Sequence, residues 1–270
     1  MSDTASYIRS LKLAHPLRKS VLRRAIQTLH LRPDGRILDA GCGIGLPALL
    51  LAESIGPKGR VTGLDIEPGF IEYAESLVRE TGMEDRLTFR QGSVDDLPFE
   101  ENAFDLVWST DCVGYAPLNT PLILAEIRRV LAPGGRVALL FWSSQKILPG
   151  FPDLEARISA TTRGILPFTK DRPPYAHPLR LLGRIQEAGF VDTTASTFSG
   201  DAHAPLTDEI REALLDLFAM LWTGIESEIS LEDQKLLKRL IDPTSTDFIL
   251  DLPDYYGFFT YSMFTGTAPE

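Results

Sequence analysis

Cysteine is scarce in this 270-residue chain: only Cys42 and Cys112 occur. No C-x-x-C spacing is present, which excludes a disulfide framework and a cysteine-built zinc site and points to a reduced, cytoplasmic setting. Long apolar runs are missing too. Nothing approaches the ~18 residues of a membrane span, and the opening MSDTASYIRS lacks the basic-then-apolar design of an export signal. Positive charge is short, since 27 Lys+Arg against 37 Asp+Glu leave a formal net charge of -10. That balance repels phosphate backbones and anionic lipid surfaces, so no nucleic-acid partner is expected. Arg18, Lys19, Arg23 and Arg24 form a candidate basic patch, read as the solvated face of a helix. No metal-ligand pattern is found, and no metal is expected.

What is present is ordinary globular composition, 44% hydrophobic and 24% charged, arranged in a strict order. Residues 7 to 31 have helical periodicity with an expected break at His15-Pro16. Short apolar runs at 36–40, 60–65, 86–90, 104–109 and 135–142 then alternate with helical stretches, which implies a doubly wound α/β sheet with mostly parallel strands. Pro68 opens one of these helices and Gly82 ends it; another follows Pro121, with an apolar stripe of Leu122, Ile123, Ile127, Val130 and Leu131. We expect a single domain over 1–270. It comprises an N-terminal helical segment (1–32), a cofactor-binding core (33–142), a lid insertion (143–177), a helix and strand of the sheet (178–198), a helical insertion (199–254) and a final strand (255–270). In the second insertion Ser230 and Asp233 have capping-box spacing.

The turn after the first strand carries Asp39, Gly41, Gly43 and Gly45, at the carboxyl end of a strand in an open α/β sheet, where ligands bind. Glycine admits positive φ and close ligand approach, and the helix that follows offers free N–H groups. Asp65 ends the second strand, where a carboxylate suits the two hydroxyls of a ribose. A dinucleotide fingerprint needs a small residue at the sixth position from Gly41, and Leu46 stands there. The turn instead reads D-x-G-x-G-x-G. A carboxylate before the glycines repels a pyrophosphate and favours an ammonium.

ILDAGCGIG, VTGLDI, QGSVDDLPFEENAFDLVWS and EIRRVLAPGGRVALL, in order from about 36 to 142, resemble the successive motifs of class I S-adenosylmethionine-dependent methyltransferases. The likeness is strongest to the subgroup that includes quinone-biosynthesis C-methyltransferases and many small-molecule enzymes. It implies a seven-stranded, mostly parallel sheet whose last strand is antiparallel, with helical lid insertions, and S-adenosylmethionine as cofactor. It places Asp39 and the loop Gly41, Cys42, Gly43 and Gly45 at the methionine portion, Asp65 at the ribose and Ile66 and Val94 at the adenine. The family often has an acidic residue where this chain has Ser93, so either Ser93 makes that contact or Asp95 substitutes. Ser109, Thr110 and Asp111 fall where the family brings backbone near the reacting methyl. A second departure is Leu46-Pro47, for which Tyr7 or Arg9 is a candidate compensating partner.

The sulfonium already activates the methyl group, so the protein chiefly aligns an acceptor, with a general base needed only when the acceptor is still protonated. Asp111 and Tyr115, after the fourth strand, and His177, in the expected lid, are the candidate catalytic residues; His15 and His203 suit surface or capping roles better. The Asn/Asp-Pro-Pro-aromatic motif of amino-methylating enzymes does not occur at S-T-D-C-V-G-Y. Phe151, Leu154, Ile158, Ile165, Leu166 and Phe168 in one insertion, and Phe218, Met220, Leu221 and Trp222 in the other, suggest an apolar lid over a small, partly hydrophobic acceptor. Transfer to carbon, oxygen or nitrogen of such an acceptor is the expected function. The alternatives are an inactive cofactor-binding relative and a protein or RNA methyltransferase. The pattern leaves the oligomeric state open.

Overall fold

The computed structural model describes residues 4–115, 119–166 and 172–270. Phe168, one of the expected lid residues, lies outside them. A seven-stranded sheet has the order β3-β2-β1-β4-β5-β7-β6. Its strands are β1 (Arg36–Ala40), β2 (Arg60–Asp65), β3 (Leu87–Gln91), β4 (Phe104–Thr110), β5 (Leu131–Lys146), β6 (Val191–His203) and β7 (Tyr256–Thr267). Strand β7 runs antiparallel to both neighbours, and the β3 to β5 half is parallel throughout. This is the doubly wound architecture read from the alternation of strands and helices.

Side chains alternate across each strand, so two apolar layers form. Ile37, Leu106, Trp108, Ala138 and Leu140 enter one buried cluster, while Leu38, Val107, Val137, Leu139 and Phe141 enter the other. The first layer is closed by α1 (Thr4–Thr28), α2 (Leu46–Glu53), α7 (Asp208–Trp222) and α8 (Leu231–Ile241). On the second lie α4 (Thr120–Val130) and α6 (Leu181–Glu187). Helix α3 (Pro68–Thr81) ends at Gly82 in the left-handed region, and α5 (Pro152–Ser159) packs Leu154 and Ile158 into the first layer. Ser230 caps α8 by accepting from Asp233 N, whose carboxylate turns away to Arg157.

Four details differ from the sequence reading. Helix α1 runs unbroken through Pro16. Proline removes one helical hydrogen bond, but contacts hold both halves: Tyr7 stacks on Phe70, Ser10 reaches Asp216, and Leu17, Val21, Leu22, Ala25 and Ile26 are buried beyond it. Arg18 is not solvated; it turns inward to Asp111. Leu122, placed in the α4 stripe, is exposed, and Thr120 and Leu124 take the buried positions. Strands β5, β6 and β7 outrun their apolar segments because they pair with each other beyond the parallel half.

Candidate functional site

The glycine turn is fastened to the end of β2 by its own backbone. Gly41 N and Cys42 N both donate to Leu64 O, at 2.8 and 2.9 Å, and Gly45 N donates to Cys42 O at 3.0 Å. Gly41, Gly43 and Gly45 all have positive φ, between 52° and 82°. At Gly41 a β-carbon would overlap the Cys112 side chain, so glycine is demanded by packing as well as by conformation. Gly43 is less crowded: a β-carbon there would meet Leu11 Cδ1 of α1 at 3.5 Å, an ordinary contact, so its glycine is asked for by conformation alone.

Asp65 ties the same loop to β2 through its side chain. Oδ2 accepts from Gly43 N at 2.8 Å and Oδ1 from Glu67 N at 3.1 Å. A carboxylate offers about four lone-pair positions, so two remain for a ligand's hydroxyls. Ile66, next in the chain, is 67% exposed and is held in place by Gln91 Nε2 donating to its carbonyl. A large aliphatic side chain standing in solvent beside this turn is a surface suited to a flat apolar ring. Ser93 donates to Asp95, so these two residues form one polar unit, while Val94 is buried.

Asp39 lies beneath the loop, fully buried, and neither carboxylate oxygen has a hydrogen-bond partner. Burial, and then the charge of Asp65, push its carboxyl up to about 8; the nearby Ala48 amide, outside hydrogen-bond geometry, only tempers the rise. Asp39 is therefore largely neutral at pH 7 and ionises readily once positive charge arrives above it. Cys42 and Cys112 are free, and burial raises both thiols, which makes them inert packing groups. Ser109 donates to Ala40 O and accepts from Val113 N, and Thr110 accepts from Trp108 Nε1. Ser109 thus ties β4 to β1 and Thr110 is engaged within β4, so it is backbone that is left to face a ligand there.

Beyond β4 the chain turns at Asp111, whose φ is +52°. Four donors converge on this carboxylate. Trp142 N (2.8 Å) and Tyr115 OH (2.9 Å) reach Oδ1; Tyr261 OH (2.9 Å) and Arg18 Nη1 (3.2 Å) reach Oδ2. Burial first, and Asp111 second, raise the Tyr115 and Tyr261 phenols, so both stay protonated and act as donors. Aromatic rings surround the cluster: Trp142 stacks on Phe259 with centroids 4.5 Å apart and meets Tyr261 edge-on. The Tyr7 phenol lies within electrostatic reach of Arg18, Asp111 and Asp65, and burial raises it.

Asp111 and Tyr115 thus come together, whereas His177 belongs to the α6 side. Its Nδ1 accepts from Leu179 N, and its titration is lowered by burial and then by Arg184. His15 is pushed down to about 4, mainly by burial and then by Arg18, and is neutral at physiological pH. Arg18, Trp142 and Tyr261 escaped the sequence reading as site residues, because they lie far from any motif and converge only through folding. Of the apolar residues expected in a lid, Leu154, Ile158, Phe218 and Trp222 are core, while Leu166 and Met220 are exposed. Among the described residues no cluster of metal-ligating side chains occurs, and no helix is long and apolar enough to cross a membrane.

This fold and turn have relatives. Residues 37–135 match the methyltransferase domain family. The chain is 33% identical over 190 residues to the demethylmenaquinone methyltransferase of Symbiobacterium thermophilum, covering 63% of this chain and 74% of that protein. Among solved structures, the YcgJ protein of Bacillus subtilis superposes with a TM-score of 0.58 at 17% identity, over 93% of this chain and 99% of the other. Geranyl diphosphate methyltransferase in complex with SAM gives 0.56 at 20%, over 94% and 86%. The chain belongs to the class I S-adenosylmethionine-dependent methyltransferases. It resembles the quinone C-methylating members, and S-adenosylmethionine is its cofactor.

Proposed function

We propose that this enzyme methylates a small, partly hydrophobic acceptor, of which a hydroxylated aromatic ring is the best fit, and that transfer takes place between the glycine turn and Asp111. The observation that carries this reading is the Asp111 cluster: three phenols and a guanidinium gathered among stacked aromatic rings at the carboxyl ends of β4 and β5. Relatives named as demethylmenaquinone methyltransferases support an acceptor of this kind.

The residues present fit the cofactor. Two Asp39 oxygens without hydrogen-bond partners lie under the glycine turn, and Gly43 places no β-carbon between a ligand and the loop backbone. Asp39 has no surface open to water, so it would act through its field rather than by direct contact. Asp65 would take the ribose hydroxyls; Ile66 and Val94 would border the adenine, with the Ser93–Asp95 unit at its edge. Ser109 and Thr110 would contribute backbone near the methionine end. When bound, the cofactor supplies a sulfonium-activated methyl group that is displaced directly by the acceptor.

Asp111 has all four lone-pair positions engaged, so it becomes a base only when a phenol swings away or an acceptor hydroxyl replaces one. Such an exchange conserves hydrogen bonds, which makes it an inexpensive way to seat an acceptor hydroxyl and orient its ring. Arg18 keeps a positive charge 3.2 Å from the Asp111 carboxylate through this exchange. Tyr115, always protonated, positions rather than accepts a proton, and His177 would act only from the α6 side.

The test is transfer of labelled methyl from S-adenosylmethionine to a panel of short-chain hydroquinones and simple phenols, beside protein and RNA fractions of a cell extract. Label in one or more small acceptors, lost in Asp111→Asn, is expected. Label confined to the macromolecular fractions would sink the proposal.

A further inference from the structure

A groove of about 1130 Å³ runs between α4 and α6, outside the glycine turn and the Asp111 cluster. Its walls carry Arg128, Arg172, Arg180 and Arg184, none of which forms an ion pair with a described residue, and the acids among its lining are Glu101 and Glu187. In a chain of net charge -10, a concave surface with this excess of unpaired guanidinium is against the trend of the whole molecule. Arg184 is the key group. Its Nη1 donates to Thr120 Oγ1 at 2.9 Å, while Nε and Nη2 are cut off from water and have no hydrogen-bond partner among the described residues. Burial also pulls this guanidinium below its ordinary value, with Glu187 the opposing charge.

Charged donors withheld from water and left unpaired are costly, and a resident anion removes that cost. Thr120 opens α4, whose positive pole therefore faces the same end of the groove as Arg184. Guanidinium forks match phosphate oxygens in pairs, and several of them along one groove suit more than one negative charge. We propose that the α4–α6 groove is an anion site that takes a phosphate or diphosphate group. Two sources share this chemistry: a group carried by the methyl acceptor itself, or a separate phosphorylated metabolite that binds beside the reaction.

The test is calorimetric titration of inorganic pyrophosphate into the parent protein, Arg180→Gln and Arg184→Gln, with S-adenosylhomocysteine titrated in parallel. Saturable binding that weakens about tenfold or more in each variant, and falls as salt is raised, is expected. Cofactor-product affinity should hold within about twofold, so that failure of the cofactor site and failure of this one are distinguishable. Arg184→Gln replaces a half-buried guanidinium by a neutral amide that can keep the bond to Thr120, so its melting temperature should not drop; Arg180, on the exposed rim, gives an independent variant that leaves the fold intact. Competition between pyrophosphate and the acceptor would identify the acceptor as carrier, and non-competitive behaviour a separate ligand. No saturable binding at millimolar pyrophosphate, or equal binding in parent and both variants, would overturn the proposal.

Discussion

At the scale of single residues, two aspartates, Asp39 fully buried and Asp111 half-buried, set the behaviour of the site in opposite ways. Asp39 is partnerless and its carboxyl stands at about 8 against an ordinary 3.8. Being raised, it costs stability as pH climbs: the unfolded chain loses this proton near pH 4, the folded chain only near 8, so the cost grows between them by at most ~1.4 kcal/mol per pH unit. Asp39→Asn should therefore gain stability over the parent as pH rises from 4 to 8, most at the upper end, in urea melts across that range. The same variant should abolish proton release on cofactor binding, read at pH 6.5 as a buffer-independent binding heat. Asp111 is over-supplied with donors instead. Arg18→Met should cost about 2 kcal/mol, less than a fully buried pair because three donors remain, and a double-mutant cycle with Asp111→Asn should recover part of the loss. Neither role was legible in the sequence: Asp39 announced itself by its place before the glycines, but its lack of partners depends on what folds above it.

At the scale of elements, α1 binds the site together. Its first half lies over the glycine turn and stacks Tyr7 on Phe70, its middle delivers Arg18 to Asp111, and its second half is core. Pro16 interrupts this helix without breaking it, so Pro16→Ala should restore a hydrogen bond and raise the unfolding free energy by about 1–3 kcal/mol in urea titrations. A decrease would mean that the proline sets a bend the packing needs. Periodicity located this helix and α4, the Pro68 and Gly82 boundaries located α3, and short apolar runs located the parallel strands, because strands buried on both faces read as continuous apolar segments. The break expected at His15-Pro16 came from weighing local propensity above tertiary contacts that only the fold supplies. Likewise Arg18, read as one charge on a solvated face, was misplaced because its partner is 93 residues away.

At the scale of the whole molecule, the parallel half of the sheet builds the cofactor turn and the antiparallel extension of β5, β6 and β7 brings Trp142, Phe259 and Tyr261 to the Asp111 side. The first was readable from motifs, which are local in sequence; of the second, the final strand and its antiparallel run were expected, but not which residues it carries beside Asp111, since pairing across more than 100 residues leaves no local signature. Ligand binding to the folded state alone should stabilise the whole chain, so saturating S-adenosylhomocysteine should raise the melting temperature. The most direct test of the central claim is calorimetric titration of S-adenosylmethionine into the parent protein and Asp65→Ala. One-to-one binding in the parent, weakened about tenfold or more when the two free carboxylate positions are lost, is the predicted result. No measurable binding in the parent, or undiminished binding in Asp65→Ala, would contradict it.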